Sequence, residues 1–366
     1  VNEMTRIYRK DDGNIEVLKG KTVGMIGYGN QGRSQALNMK DSGLNVIVGN
    51  REDGFRKRAA EDGFEVYSIE EAVQKADFLF FLIPDEIMED VFNEKIMPNL
   101  HESQSIIFAS GYNIGFDILK PPDYVDILLI APRMIGIGVR ERFLNGKGYF
   151  SFIAVNQDAS GNAKENLLGL CKALGTLMMG AIEVSFKEEA ILDLFTEQGF
   201  GPAFGRVLLE TMNTLIEADY PVDAILIELI LSGKLKSLYR NIIDYGLSKY
   251  IEAYPKQTQY GILHQELKFN KVSKKIGQIQ KEVIENIASG EFAEEWEKTF
   301  TKVKFKVIKY FAPRVGFARK EKKVRENLGF PDVDLFAETP YPTNEERKRT
   351  EQIQKELEDF GNYPEY

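Results

Sequence analysis

Residues 21–49 read KTVGMIGYGNQGRSQALNMKDSGLNVIVG. An apolar strand, Thr22-Val23-Gly24-Met25-Ile26, breaks on Gly27-Tyr28-Gly29-Asn30-Gln31-Gly32 into a helical stretch, and a second apolar strand follows at Asn45-Val46-Ile47-Val48-Gly49. Each glycine has a physical reason to stand where it does. Gly27 permits a tight turn, Gly29 lets the backbone approach a pyrophosphate, and Gly32 lets the helix pack close to the strand. The first N–H groups of the helix and the positive end of its dipole then face the phosphates. Such spacing alone is a weak signal, and an accidental glycine turn is the alternative. The strand before it, the helix after it and the second strand at the right distance favour a dinucleotide site. Gly27, Tyr28, Gly29, Asn30, Gln31 and Gly32 are its expected contacts.

Outward from this unit, strands and helices alternate from Lys19 to about Glu183. TVGMIGY, NVIVG, DFLFFLIP, SIIFAS, DILLIAP and YFSFIAV read as strands with helical patterns or turns between them. The pattern predicts an α/β fold with a doubly wound parallel sheet. After Glu183 the strand signals give way to amphipathic stretches such as EEAILDLFTEQ, RVLLETMNTLIEA and KKIGQIQKEVIENIASG, which predict an all-helical second domain. The expected division is an N-terminal segment at 1–18, a nucleotide-binding domain at 19–182, a helical domain at 183–328 and a polar tail at 329–366. That tail is proline-punctuated and then charged, and is expected to be weakly ordered unless docked.

With 366 residues, 43% of them hydrophobic, the chain can bury a substantial core. Its net charge of -9 argues against a general nucleic-acid binder, because no overall positive field collects phosphates. No apolar run approaches the roughly twenty residues needed to span a bilayer, and VNEMTRIYRKDDGN lacks the apolar core of a signal peptide. A cytoplasmic protein is expected, with neither membrane nor nucleic acid as partner. The single cysteine, Cys171, falls in a helical pattern and reads as packing, and the two histidines, His101 and His264, read as surface or packing residues.

Three further places have residue types suited to chemistry. The end of the second strand runs Asn50-Arg51-Glu52-Asp53-Gly54-Phe55-Arg56-Lys57-Arg58. A basic residue here holds a 2′-phosphate where an acid would bond the ribose hydroxyls, so Arg51, with Arg56 and Arg58 nearby, favours NADP(H) over NAD. Glu52 and Asp53 weaken that preference, and a solvated loop is the alternative. Ser110-Gly111 and Arg133 fall at the ends of later strands, where open α/β folds place ligands. Ser110 could orient a substrate oxygen and Arg133 hold a carboxylate; a turn serine and a locally paired arginine are the alternatives. Finally, Asp193 and Glu197 stand four apart on a predicted helix, and Glu228 is the sole acid of the apolar run AILIELILSGK. A hard divalent cation, Mg²⁺, would turn the repulsion of the first pair into attraction, whereas an exposed acidic face is the alternative.

These motifs resemble the ketol-acid reductoisomerases. The likeness runs from about Leu18 to about Phe300 and is carried by GKTVGMIGYGNQG, DSGLNVIVGNRE, DGFEVYSIEEAVQKADFLFFLIPDE, KPPDYVDILLIAPR, NQDASGNAKE, EVSFKEEAILDLFTEQ and IASGEFAEEW. The resemblance implies a Rossmann domain, a knotted helical C-terminal domain, NADP and Mg²⁺ as cofactors, and branched-chain amino-acid biosynthesis as the setting. It further implies a homodimer or higher homo-oligomer whose site is built from both subunits. Asp193 and Glu197 match the first two metal-binding acids, and Glu228 the first acid of the later pair. Three positions depart: Ser110 stands for a histidine, Arg133 for a lysine and Ser232 for the second acid of the later pair. The wording FASGYN and APRM is similar to a divergent archaeal-type branch.

The implied activity is reduction of a small 2-keto acid, with conversion of 2-acetolactate to 2,3-dihydroxyisovalerate as the full reaction and its isomerisation step set in doubt by the departures. Ser110, Arg133 and Glu228 are the expected catalytic residues, Arg51 and Gly111 join the glycine loop at the cofactor, and Asp193, Glu197 and Glu228 are the expected metal ligands. The alternatives are a reductase of another 2-keto or 2-hydroxy acid on the same scaffold, or an inactive nucleotide-binding paralogue.

Overall fold

In the computed structural model, residues 5–311 and 315–329 are described, and most of the predicted polar tail lies outside them. The described residues form two compact units, one of residues 5–213 with 238–310 and one of residues 214–237 with 311 and 315–329.

The first unit is built on a nine-stranded sheet. Its strands are β1 (Ile7–Tyr8), β2 (Thr22–Ile26), β3 (Asn45–Gly49), β4 (Glu65–Tyr67), β5 (Phe78–Phe81), β6 (Ser105–Phe108), β7 (Asp126–Pro132), β8 (Phe150–Gln157) and β9 (Gly180–Glu183). They lie in the order β1-β9-β8-β7-β6-β5-β2-β3-β4. The six strands read from sequence are present, whereas β1, β4 and β9 were not anticipated. Two of these are edge strands and all are short, so they lack the apolar run that announces a central strand.

The sheet is mixed rather than wholly parallel. Strands β4-β3-β2-β5-β6-β7 form a parallel run, but β8 pairs antiparallel with β7 and β1 antiparallel with β9. The reason is local: after β7 the chain makes one helix, Gly136–Leu144, and re-enters the sheet at the same edge, where Ser151 pairs with Pro132. The course of the chain reverses between β2 and β5, because β3 and β4 are laid down on one side of β2 and β5 to β7 on the other. That is the switch point at which open α/β sheets leave a crevice beyond the strand ends.

Helices cover both faces. On one lie α1 (Asn30–Asp41) and, later in the chain, the helix Ala163–Leu174, with Ala36, Met39, Leu167, Leu170 and Cys171 packed against Val23, Met25, Phe80 and Leu128. On the other, α2 (Ile69–Lys75) sets Ala72 and Val73 against Ile26, Leu79 and Phe81, and Phe186 joins the same cluster. Cys171 is buried there and free, as the packing reading expects, and burial pushes its thiol up. Beyond Glu183 the described residues contain no strand. Among them no helix is long and apolar enough to cross a membrane.

The glycine loop is as tight as its spacing demands. Gly27 adopts φ 95°, and a Cβ there would stand 2.4 Å from the Leu82 carbonyl oxygen. A Cβ on Gly32 would lie 2.2 Å from the Gly27 carbonyl oxygen. Gly32→Ala therefore forces α1 away from β2, and a urea melt should show a loss of about 1–3 kcal/mol. An alanine variant as stable as the parent would mean that the helix start is not wedged against the turn.

Candidate active site

The carboxyl ends of β2, β5, β6 and β7 point the same way, so the turns that follow them share one edge of the sheet. At β2 the turn delivers the N-terminus of α1. Gly29 caps it, and a Cβ on Gly29 would meet nothing within 4 Å. Gly27 and Gly32 are thus glycines because the protein crowds them, whereas Gly29 opens on free space, as close approach by a pyrophosphate requires. The Tyr28 ring is buried against Phe64, and its hydroxyl donates to Asp62 at 2.8 Å. Arg33 grips the same carboxylate with both its Nε and Nη2, at 2.6 and 2.9 Å. Burial works to raise Asp62, but Arg33 and Tyr28 hold it below the usual carboxylate range. Gln31 reaches across to donate to the Met134 carbonyl at 2.9 Å, and Gly136 is pressed on Asn30, whose carbonyl oxygen would be 2.2 Å from a Cβ. The glycine loop and the segment after β7 are therefore one packed body.

Arg51, exposed at the end of β3, donates from Nε to Asp53 at 2.8 Å. Asp53 is also the N-cap of the helix Gly54–Glu61, accepting from the N–H groups of Phe55 and Arg56. Burial raises this carboxyl, yet Arg51 and the two N–H groups prevail and lower it. Asp53 thus holds Arg51 at the strand end.

The turns after β5 and β6 bring together residues that sequence reading had left apart. Asn113, buried in the β6 turn, donates to Asp85 Oδ1 at 2.9 Å, and Ser110 Oγ donates to Asp85 Oδ2 at 3.4 Å. Ser110 also accepts the Tyr112 N–H at 3.2 Å, so the turn-serine alternative describes part of its bonding. Burial pushes the Asp85 carboxyl up to about 6; the bonds from Asn113 and Ser110 act against it, and the charges of Glu86 and Asp193 add to it.

Next to this turn lies a charge cluster centred on Glu189, only 2% exposed in its side chain. The helix Phe186–Phe195 starts with a capping box in which Ser185 and Glu188 satisfy each other's backbone groups. Gly111 is so close to this start that a Cβ would sit 2.0 Å from the Phe186 carbonyl oxygen. Its N–H donates to Glu189 Oε2 at 2.6 Å. Arg133, from the end of β7, donates one guanidinium nitrogen to Glu189 and another to Asp193, and its guanidinium carbon stands 5.0 Å from the centroid of the Phe152 ring. Burial raises the Glu189 carboxyl despite the Gly111 N–H and Arg133. Glu197 is raised as well, by burial and by the charge of Asp193. Arg133 thus pairs with local acids, and it supplies the counter-charge that the Asp193–Glu197 spacing demands.

Glu197 sits in a five-residue π turn, Thr196–Phe200, that widens the end of its helix. Glu228, in the second unit, lies in another, Ile227–Leu231. Such turns are rare and gather at functional sites. Glu228 is 61% exposed and paired with Lys234, so its partner is a cation of its own unit. Ser232 Oγ donates back to the Glu228 carbonyl at 3.3 Å. Among the described residues, no three His, Cys, Asp or Glu side chains are grouped so as to hold a metal. Asp193 and Glu197 offer oxygen donors alone, which fits a hard cation that keeps much of its water.

Asp85, Asn113 and Glu189 were missed from sequence. Two signals were available: Asp85 directly follows an apolar strand in LIPDE, and Glu189, Asp193 and Glu197 recur at every fourth position.

A glycine cradle at the switch point of a Rossmann-type sheet, with an arginine and acids gathered beside it, defines the class of dinucleotide-dependent oxidoreductases. Residues 17–180 match the domain described as acetohydroxy acid isomeroreductase, NADPH-binding domain, and residues 186–328 match ketol-acid reductoisomerase, C-terminal domain. The chain belongs to the ketol-acid reductoisomerase family. It is 39% identical over 296 residues to the ketol-acid reductoisomerase (NADP(+)) of Pyrococcus abyssi, spanning 80% of this chain and 88% of that one. With the enzyme of the same name from Methanopyrus kandleri it shares 36% identity over 336 residues, 90% of this chain and all of the relative. Among solved structures, an NADH-preferring ketol-acid reductoisomerase from an uncultured archean matches with a TM-score of 0.78 at 28% identity, covering 90% of this chain and 100% of that one.

The ion-pair cluster yields a stability test. Arg133→Met strands a buried carboxylate and should cost about 3–5 kcal/mol in chemical denaturation, whereas adding Glu189→Gln should recover a large part of it. Losses that simply add would mean that Arg133 and Glu189 are not coupled.

Proposed function

We propose that the chain is an NADP-dependent oxidoreductase that reduces a 2-keto acid in branched-chain amino-acid biosynthesis, with 2-acetolactate to 2,3-dihydroxyisovalerate as the full reaction and Mg²⁺ as its metal. The observation that supports this best is the assembly of the open glycine cradle, the Ser110 turn and the Arg133–Glu189–Asp193 cluster along one sheet edge. In this reading residues 19–182 form the nucleotide-binding domain and 183–328 the helical domain. Gly27, Tyr28, Gly29, Asn30, Gln31, Gly32, Arg51 and Gly111 border the dinucleotide, Asp193, Glu197 and Glu228 take the metal, and Ser110, Arg133 and Glu228 serve the chemistry.

When bound, the dinucleotide supplies a hydride and the metal polarises a carbonyl oxygen. The chain's own residues do the rest. The N–H groups at the start of α1 take the pyrophosphate, and Arg51, poised on Asp53, takes the 2′-phosphate. Arg133, clamped by Glu189 and Asp193, keeps a fixed positive charge for an anionic substrate. Asp193 and Glu197 would hold the cation through carboxylate oxygens, and Glu189 would keep the Arg133 guanidinium anchored beside it. Ser110 bonds a substrate oxygen.

A second copy of the chain completes the site in this proposal. In the first unit, Phe204 and Val207 of one helix and Leu263, Leu267 and Phe269 of another are about half exposed or more. Apolar surface on this scale is what a partner covers. Ser232 in place of an acid and Arg133 on Asp193 also support a second reading, a reductase whose substrate needs no alkyl shift.

The deciding assay is nicotinamide oxidation by purified protein with Mg²⁺, comparing 2-acetolactate with the already isomerised 3-hydroxy-3-methyl-2-ketobutyrate. Turnover of both marks a full reductoisomerase, turnover of the second alone a reductase, and turnover of neither overturns the proposal. Arg51→Ala should raise the dissociation constant of NADPH about tenfold or more while leaving NADH little changed, and equal weakening of both would remove Arg51 from the site. Asp193→Asn should abolish Mg²⁺-dependent turnover and leave NADPH binding intact. Calorimetry on the parent that detects no Mg²⁺ or Mn²⁺, with turnover indifferent to chelator, would sink the metal assignment.

A further inference from the structure

Reduction of a keto group adds a hydride at carbon and a proton at oxygen. The dinucleotide accounts for the first, and the second requires an acid beside the carbonyl oxygen. Resting on the proposed reduction, we infer that Asp85 is that acid, delivering the proton through the Ser110 hydroxyl, with Asn113 fixing the carboxyl in place.

The geometry defines a short relay. Asp85 leaves β5 and Ser110 leaves β6, and these strands are parallel neighbours, so their turns meet at the crevice edge. Asn113 is 2% exposed, and its amide spends one donor on Asp85 Oδ1 at 2.9 Å. This bond holds the carboxyl plane so that Oδ2 faces Ser110 Oγ at 3.4 Å. That distance is long for a hydroxyl-carboxyl bond, but catalytic bonds commonly tighten once substrate is seated. The Tyr112 N–H pins the serine from the other side at 3.2 Å.

Protonation of Asp85 decides which way Ser110 works. With Asp85 ionised, the serine O–H donates a hydrogen bond to the carboxylate and its oxygen faces the substrate as an acceptor. With Asp85 protonated, the carboxyl O–H donates to Ser110 Oγ, and the serine O–H turns toward the substrate oxygen. In the reducing step the serine O–H bond breaks as the bond to the substrate oxygen forms, and the serine takes the Asp85 proton in the same movement. The ketone becomes a hydroxyl, Ser110 is regenerated, and Asp85 is left as a carboxylate that recovers its proton from solvent.

Burial keeps this carboxyl protonated at higher pH than an ordinary aspartate, up to about 6, and the charges that face it, Glu86 from its own turn and Asp193 from the helix opposite, act in the same direction. The Tyr112 phenol is raised in turn, by burial first and by the charges of Glu297 and Asp85. A pKa near the working pH is what a general acid needs.

The test uses full-length protein, NADPH, Mg²⁺ and 3-hydroxy-3-methyl-2-ketobutyrate, which needs no alkyl shift. In the parent, kcat/KM should fall as pH rises through about 6, and Glu86→Gln, by removing a repelling charge, should move that limb to lower pH. Asp85→Asn should abolish the limb and lower kcat about a hundredfold, with KM and NADPH affinity by fluorescence within about threefold of the parent. Ser110→Ala should match it, and Ser110→Thr, which keeps the hydroxyl, should restore most of the rate. Asp85→Asn retaining the parent's rate and pH profile, or Ser110→Thr as impaired as Ser110→Ala, would overturn the relay while leaving the reductase intact. No turnover by the parent would overturn both.

Discussion

One buried carboxylate joins the parts of this site. Glu189 takes the Gly111 N–H with one oxygen and the Arg133 guanidinium with the other, so a single side chain ties the β6 turn, the end of β7 and the first turns of the helix Phe186–Phe195. A carboxylate so deeply buried is tolerable only if it is bonded, and breaking the bond on either side leaves an uncompensated charge. The consequence is positional. Gly111 must be a glycine, since the Phe186 carbonyl occupies the space of a Cβ, and Asp193 one helical turn later is presented to the same guanidinium.

The electrostatics of the edge follow from that arrangement. Acids outnumber the cations among the residues named there: Glu189 and Asp193 pair with Arg133, Glu197 feels its charge, and Asp85 feels the charges of Glu86 and Asp193. Burial and mutual repulsion raise Asp85, Glu189 and Glu197, so each favours a proton, a cation or a polar donor. Arg133 satisfies Glu189 and Asp193, leaving Asp85 to the uncharged donors Asn113 and Ser110. Two acids at one edge thus take different parts: Glu189 is held by a permanent cation, whereas Asp85 is held by groups that permit it to exchange its proton.

Much of the first unit was legible along the chain. The turn at Gly27 to Gly32, the six central strands and the helical character beyond Glu183 follow from local rules, because a buried parallel strand needs a continuous apolar run and a glycine turn needs its glycines at fixed spacing. The short strands escape notice for the same reason. Ile7–Tyr8 at the edge and Gly180–Glu183 beside it are too short to show a period, and their pairing is specified by the neighbour rather than by their own residues.

The chain by itself determined which residue types stand at the strand ends and on the helix face: Gly29, Ser110, Arg133, Asp193 and Glu197 could all be named from spacing and motif. Their bonding was decided in three dimensions. That Glu189 is buried and Asp193 paired, that Asp85 meets Ser110 across neighbouring strands, and that Glu228 is exposed on Lys234 depend on contacts whose partners are remote in sequence or lie off the periodic face. Periodicity reports which side of an element is apolar, whereas the partner of a charge depends on how the elements are stacked.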